Sequence, residues 1–173
     1  MGTPFELWGQ RGWPGFDVVG ESHYIGHIRS LFSTELGDYG AEIECSAELV
    51  PDSNNPADPN AVAVKCNGGV VGHLRRKDAA VYSPVLRKLN SRGLLPHVKA
   101  RVWCGSRTNF EYGGDSEDLI ERRLVIGSVR LDLALPHLLA PVNLPPVGPY
   151  VLLPYGNSIR VSSSDSFSGN LFS

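Results

Sequence analysis

The stretch NNPADPNAVAVKCNGGVVGHLRRKDAA, residues 54–80, holds the turns, strands and helix start that decide the fold. Its first seven residues are rich in Asn, Asp and Pro, which hydrogen-bond to nearby backbone or preset its φ angle. Val62, Val64 and Cys66 then alternate with small or charged residues, which is the period of a half-buried strand. The Asn-Gly-Gly of residues 67–69 tolerates positive φ, so residues 70–74 are predicted to return as the second strand of a hairpin. We therefore expect a polar loop followed by a hairpin. A binding site is expected here before any other part of the chain.

The segments around this stretch predict a mainly β chain. Residues 41–50 alternate between apolar and mostly acidic side chains, which indicates a strand with one core face and one acidic face that DNA would avoid. Further strands are predicted at residues 16–20, 95–104 and 125–135, and a polar loop at 105–123. A short amphipathic helix is expected at residues 25–32. With a second helix, five or six strands suit a small β-barrel of the α+β class.

The second helix is predicted over residues 76–91. Its core face is expected to carry Ala80, Val81, Val85 and Leu89, which leaves the basic residues on the exposed side. Pro84 predicts a kink or a restart of this helix with Ser83 as its cap.

The chain ends differ in composition from the middle. Residues 1–15 contain Trp8, Trp13 and several Gly and Pro residues, which predicts an irregular N-terminal arm held by its aromatic side chains. Residues 16–135 form the predicted domain. Residues 136–161 are Pro-rich, with a hairpin expected from 150–153 and 158–161. Residues 162–173 are rich in Ser, which predicts a disordered tail.

Composition excludes several classes of protein. The chain has 173 residues, of which 42% are hydrophobic and 20% charged, as in soluble globular proteins. Its net charge is −2, yet the segment between His73 and Arg92 contains six cations and one anion, which predicts a local basic patch. We find no span of about 18 apolar residues, no signal peptide and no nucleotide-binding P-loop, which predicts a cytoplasmic protein without ATPase activity. Cys45, Cys66 and Cys104 lie at apolar positions of predicted strands, which favours buried, reduced thiols.

Three ordered segments resemble the HIRAN domain family. They are VVGESHYIG (18–26), NNPADPNAVAV (54–64) and GGVVGHLRRKDAA (68–80), with a weaker similarity at VRLDL (129–133). The resemblance implies a small OB-like β-barrel with two helices that binds the 3′-hydroxyl end of single-stranded DNA, in DNA repair or replication-fork processing. It also implies a binding module rather than an enzyme, of the free-standing bacterial type, with a location in the cytoplasm or at the nucleoid.

The resemblance implies DNA contacts at three places in this chain. These are the segment after the first strand, the loop of NPxD type and the end of the VGH strand. The implied DNA-binding residues are Ser22, His23, Tyr24, Asn55, Ala57, Asp58, His73, Arg75 and Arg76. Asp58 is the sharpest candidate, because a carboxylate accepts a hydrogen bond from a terminal 3′-OH but repels a 3′-phosphate.

Each of these residues also has an ordinary structural interpretation. Asp58 can cap a turn, Arg75 and Arg76 can form a solvated helix face, and His73 can simply end a strand. The chain also departs from the family pattern. Ser22 and His23 stand where a basic residue and an aromatic are usual, and Ala57 replaces a loop aromatic. Because base stacking contributes roughly 1–3 kcal/mol per base, two missing platforms would weaken binding by about one to four orders of magnitude unless other aromatics substitute. Tyr24, His23 or a residue of the N-terminal arm can substitute, and Trp103, Phe110 and Tyr112 lie in segments that can add a surface.

Two other functions stay open at this point. The same barrel, or the Pro-rich extension, can bind a protein partner instead of DNA. Glu21 and Asp58 flank the predicted site, so a metal-dependent nuclease is a third, weaker interpretation. No cofactor is expected. Zinc bound by His23, His73, Cys66 and another thiol is a remote alternative, because no ligand pair has zinc-finger spacing.

Overall fold

A computed structural model describes residues 2–7, 14–112 and 119–134, together with the backbone of two short strands at 150–152 and 159–161. Two α-helices are preceded by a 3₁₀ turn at Glu21–Tyr24. The helices are α1 (Ile25–Ser30) and α2 (Arg76–Asn90). The strands are β1 (Thr3–Glu6), β2 (Phe16–Asp17), β3 (Ala41–Pro51), β4 (Val62–Cys66), β5 (Gly69–His73), β6 (Leu94–Tyr112), β7 (Leu119–Leu131), β8 (Tyr150–Leu152) and β9 (Ile159–Val161).

Seven of the described strands form one curled sheet. Its order is β2-β7-β6-β3-β4-β5, all antiparallel, and β1 adds to β6 in parallel. The chain just after β2 returns to the far edge of the sheet, where Val19 forms an antiparallel bridge with His73 at the end of β5. This bridge brings the two ends of the sheet together. The predicted mainly β fold with two helices and a small OB-like barrel is therefore confirmed.

The β4–β5 hairpin forms as its sequence predicts. Asn67 and Gly68 have φ angles of 48° and 81°, the left-handed values that a two-residue hairpin turn requires. α1 packs beside this turn: Gly69 lies directly against the His27 ring, whose Nε2 is 2.9 Å from the carbonyl oxygen of Cys66. Ile28 of α1 is fully buried. The hairpin and α1 thus form one packed corner of the barrel.

The core face of α2 differs from the prediction. Its buried residues are Ala79, Tyr82, Ser83, Leu86 and Leu89. Val81 is 51% exposed, so the predicted face was rotated by about one residue. The reason is Tyr82, whose buried hydroxyl donates a hydrogen bond to the carbonyl oxygen of Ala134 at 2.6 Å, which lets an aromatic enter the core.

Pro84 does not interrupt α2, so the predicted restart with Ser83 as cap was wrong. Pro84 and Ala80 both lie on the exposed side of the helix. The Ala80 carbonyl, which loses its hydrogen bond to the missing Pro84 N–H, therefore faces water, and the cost of the proline falls.

The predicted loop at 105–123 was also wrong. β6 continues to Tyr112 and β7 begins at Leu119, and their ladder runs without a register shift from Ala100↔Leu131 to Tyr112↔Leu119. We call residues 105–112 and 119–127 the arm. Its side chains give no buried face and hence no alternating pattern, because both of its faces are largely exposed. Backbone pairing alone defines this element.

The chain ends are partly described. Residues 3–6, predicted to be irregular, form β1, whose Phe5 is fully buried beside β6. Trp8, Trp13, the Pro-rich residues 136–149 and the Ser-rich tail lie outside the described residues. β8 and β9 pair antiparallel, from Tyr150↔Val161 to Leu152↔Ile159, where the sequence predicts a hairpin. The predicted domain boundaries stay predictions.

The three cysteines are free thiols. Cys66 and Cys104 are buried as predicted, and Cys45 is half-buried. A hydrogen bond with Cys45, together with burial, raises the pKa of Cys66, while the same hydrogen bond lowers the pKa of Cys45. Neither α1 nor α2, the α-helices of the described residues, has the length and apolar character needed to cross a membrane.

Candidate nucleic-acid interface

The polar loop that follows β3, residues 52–60, is held by its own side chains. The Asn55 side-chain oxygen accepts hydrogen bonds from the backbone N–H groups of Ala57 and Asp58, at 3.0 and 3.2 Å. Asp58 Oδ1 accepts from the Asn60 N–H at 2.9 Å. The Asp58 carbonyl in turn accepts from the Ala61 N–H at 3.0 Å, where the chain enters β4. Asn55, Ala57 and Asp58 are therefore fixed together on one loop.

Asp58 has a second bond to the start of α2. Its Oδ2 lies 3.5 Å from Nε of Arg76, and its side chain is 18% exposed. A carboxylate has about four acceptor positions, and the Asn60 N–H and Arg76 use two of them. The turn-capping role of Asp58 is thus present, and acceptor capacity remains on an accessible side chain.

Two arginines of α2 extend over the loop. Arg76 donates a hydrogen bond from its guanidinium to the Ala57 carbonyl oxygen at 2.5 Å, and Arg87 donates one to the Pro59 carbonyl oxygen. The two arginines are eleven residues apart, which is close to three turns of helix, so they share one face. Arg87 is one of the six cations between His73 and Arg92 but was not predicted as a site residue; its spacing from Arg76, together with the neighbouring loop, was the signal that could have found it.

A second cluster lies where the 3₁₀ turn meets β5. The ring centroids of Tyr24 and His73 are 5.7 Å apart at an interplanar angle of 44°, and those of Tyr24 and His23 are 6.5 Å apart at 77°. Burial lowers the pKa of His73, and the nearby Asp52 carboxylate opposes this effect. His73 is therefore neutral at neutral pH, so it can donate or accept a hydrogen bond but supplies no positive charge.

The two clusters are neighbours at one end of the barrel. Asp52, at the start of the polar loop, lies close enough to influence the charge of His73. Val62 at the start of β4 accepts a hydrogen bond from the Leu74 N–H at 3.0 Å, directly after His73. The base of the loop that holds Asn55, Ala57 and Asp58 thus lies near His73 and its neighbour Tyr24, and Arg76 contacts the loop itself.

Arg75 and Ser22 lie outside this group of contacts. Arg75 forms an ion pair of 3.2 Å with Asp17 on β2, and Asp17 also pairs with Arg130 of β7 at 3.5 Å. Ser22 is exposed and lines a pocket of about 260 Å³ between the 3₁₀ turn and β7, with Ile25 and Val125 on its apolar side. The role of Asp17 was not predicted, because nothing in the sequence shows that β2 and the start of α2 are adjacent.

The outer face of β3 is less acidic than its sequence indicates. Glu44 pairs with Lys99 at 3.0 Å, and Glu42 pairs with Arg101 at 3.4 Å. The Lys99 hydrogen bond, the largest of several effects, lowers the pKa of Glu44. The expectation that this face would repel DNA assumed isolated carboxylates, whereas the neighbouring strand supplies a matching row of cations. In the part of the chain that the structure describes, no three His, Cys, Asp or Glu side chains are grouped so that they could hold a metal ion.

Comparison with known proteins identifies the family of this chain. The family model of the HIRAN domain matches residues 16–104, more than half of the 173 residues. The crystal structure of the HIRAN domain of human HLTF matches at 20% sequence identity over 66% of this chain and 73% of that one, with a TM-score of 0.30. A search of curated proteins found no match. HIRAN domains are in general nucleic-acid-binding modules, and the matched residues include the 3₁₀ turn, the polar loop and the start of α2. This chain belongs to the HIRAN domain family.

Proposed function

We propose that this protein binds the 3′-hydroxyl end of single-stranded DNA through the surface formed by the 3₁₀ turn, the polar loop and the start of α2. The observation that carries the proposal is the placement of Asp58, whose accessible carboxylate is fixed by the Asn60 N–H and by Arg76. A terminal hydroxyl can donate a hydrogen bond to this group. A 3′-phosphate would bring a second negative charge to it, and like charges repel.

The remaining contacts divide between phosphate and base. Arg76 is 77% exposed, with Nε paired to Asp58 and Nη2 bonded to the Ala57 carbonyl oxygen, so its remaining N–H groups can contact the backbone phosphate of the last nucleotide. His73, neutral at neutral pH, contributes a hydrogen bond rather than a charge. The half-buried ring of Tyr24, tilted against His73, offers a place for the terminal base to stack. We assign no bond-breaking step to this surface: it recognises an end, as expected of a module acting in DNA repair or at replication forks.

The test replaces Asp58 by asparagine. Asn keeps a side-chain oxygen that caps the loop and removes the negative charge. We expect Asp58→Asn to lose its preference for a 3′-hydroxyl over a 3′-phosphate, mainly because the phosphorylated end binds more tightly. Fluorescence anisotropy with two otherwise identical labelled oligonucleotides measures this preference. Asp38→Asn is the matched control, since Asp38 is exposed and its replacement makes the same change in net charge. An unchanged preference in Asp58→Asn would remove Asp58 from the site.

A protein-interaction module is the second candidate function. The observation that favours it is the exposure of Ile120, Leu124 and Ile126 on one face of the arm, between 39% and 44%. Exposed aliphatic side chains that lie together are typical of protein interfaces. Salt separates the two functions, because DNA binding weakens steeply as salt rises, through lost counterion release, whereas binding of a protein to an apolar surface does not.

A further inference from the structure

The arm carries two exposed aromatic side chains on the same face. Phe110 is 61% and Tyr112 is 78% exposed, and both lie on β6. Residues two apart on a strand point to the same side, with a separation of roughly 6.8 Å. The two rings thus form a pair of adjacent, accessible stacking platforms.

This aromatic face is continuous with the interior side of the barrel. Cross-strand partners share a face, and the register pairs Cys104 with Gly127 and Ser106 with Val125. Cys104 is fully buried, so Gly127, Val125 and the positions that alternate with them lie on the inner side of the ribbon. Counting by two from Cys104 along β6 reaches Phe110 and then Tyr112. Leu124 and Ile120, by the same alternation, lie on the opposite face of the arm.

The inner side of the arm begins at the candidate interface. Val125 and Gly127 line the 260 Å³ pocket, and Ser22 of the 3₁₀ turn lines its other side. The same turn carries Tyr24, which contacts His73. The turn therefore lies between β5 and β7 and joins the end of β5 to the base of the arm.

An arginine on this face suits a nucleic acid strand. Arg123 lies on it between Val125 and Phe110, and its Nε donates a hydrogen bond of 2.9 Å to the Ser106 hydroxyl, which holds the guanidinium along the ribbon. Arg guanidinium groups and aromatic rings at successive positions are the combination that binds single strands without reading sequence. Glu121 is the anion of this face, placed opposite Phe110. The stacking surface is therefore expected to contribute more than net charge does.

We infer that the inner face of the arm, through Phe110 and Tyr112, binds the nucleotides on the 5′ side of the captured 3′ end. The inference rests on the proposed function, which supplies the end site. The loop lacks an aromatic stacking surface because Ala57 stands where the family usually has an aromatic residue. Phe110 and Tyr112 provide such a surface on the arm. The strand would run from the polar loop, across the 3₁₀ turn and its pocket, and along the two rings.

The experiment measures affinity against oligonucleotide length, from about four to about sixteen nucleotides, the range of sites on single OB folds. For the unmodified chain, the affinity is expected to rise with length. In Phe110→Ala/Tyr112→Ala this rise should be lost. Long oligonucleotides should then bind this variant at least roughly ten-fold more weakly than they bind the unmodified chain. Short oligonucleotides should bind all variants equally, which also shows that the variant is folded. Ile120→Ala/Leu124→Ala, on the opposite face, is the matched control and should keep the full length dependence.

Two results would overturn the inference. One is an unchanged length dependence in Phe110→Ala/Tyr112→Ala, and the other is an equal loss in the control variant. A dimer that Phe110→Ala/Tyr112→Ala dissociates, with the length dependence kept, would identify a second copy of the chain as the occupant of the face. Failure of the end site looks different: the 3′-hydroxyl and 3′-phosphate would bind equally at every length, while the aromatic variant would still lose the length dependence.

Discussion

The backbones of Val19 and His73 exchange two hydrogen bonds, from the Val19 N–H to the His73 carbonyl at 2.9 Å and from the His73 N–H to the Val19 carbonyl at 2.8 Å. These residues are 54 positions apart, and they join the segment after β2 to the last strand of the sheet. The 3₁₀ turn begins two residues after Val19. The bridge that closes the barrel therefore also sets Tyr24 against His73.

Gly72 makes this closure possible. A Cβ at this position would collide with the Val18 side chain and would lie 2.8 Å from the Val19 carbonyl oxygen. We expect Gly72→Ala to lower the free energy of unfolding by roughly 1–3 kcal/mol, because added atoms force a packed backbone apart. A lower denaturant midpoint would show it. Gly26→Ala is the control: at this exposed position of α1 the added Cβ meets nothing within 4 Å, so the substitution should leave stability unchanged or raise it. Equal midpoints for the unmodified chain and Gly72→Ala would show that the strands can separate at no cost.

Arg87 is expected to act on binding through the loop. Its hydrogen bond to the Pro59 carbonyl oxygen holds the residue next to Asp58. Arg87→Ala should weaken binding of the 3′-hydroxyl end by several-fold, corresponding to about 1 kcal/mol or less for a solvent-exposed contact. Lys88→Ala removes the same charge from the neighbouring helix position, and anisotropy compares the two variants. If both lose the same affinity, Arg87 contributes only general charge.

Asp17 restrains two arginines at the edge of the site. Its carboxylate pairs with both Arg75 and Arg130. Asp17→Asn should therefore strengthen DNA binding and steepen its salt dependence, because each newly contacted phosphate adds about 0.7 to the slope for single strands. The plot of log affinity against log salt gives the slope directly. Asp38→Asn changes the net charge equally and should move the slope less; a slope that Asp17→Asn leaves unchanged would mean that neither arginine becomes available to DNA.

His73 should make stability depend on pH. Because burial lowers the pKa of His73 in the folded chain, the unfolded chain takes up its proton first as pH falls through about 6.5. The unfolded state is then favoured, so His73 costs stability progressively from that pH down to its lower folded pKa. Urea midpoints at neutral and mildly acidic pH should thus differ less in His73→Gln than in the unmodified chain. The same acid shift in both proteins would assign the effect to another group.

Local features of the site could be predicted from the sequence, whereas its assembly could not. Asn67-Gly68 and the alternation of β3 depend on neighbouring residues, so the hairpin and that strand lie where expected. The face of α2 depended on Tyr82 finding the Ala134 carbonyl, which is 52 residues away. A single sequence gives no sign of such a partner.

The arm and the Val19–His73 bridge escaped prediction for related reasons. An element exposed on both faces has no buried side to impose a pattern, so its length follows from cross-strand hydrogen bonds alone. The bridge is a backbone contact between distant segments, and its sole local trace is Gly72. The contact of Tyr24 with His73, which follows from the bridge, was therefore invisible even though both residues were named as candidates.

The proposed function requires this chain to distinguish a free 3′ end from a phosphorylated one. We would measure fluorescence anisotropy of the unmodified protein with one single-stranded oligonucleotide that ends in either a 3′-hydroxyl or a 3′-phosphate, at two salt concentrations. We predict tighter binding to the hydroxyl end, weakening for both ends as salt rises. Equal affinity for the two ends, or binding that salt does not change, would contradict the claim.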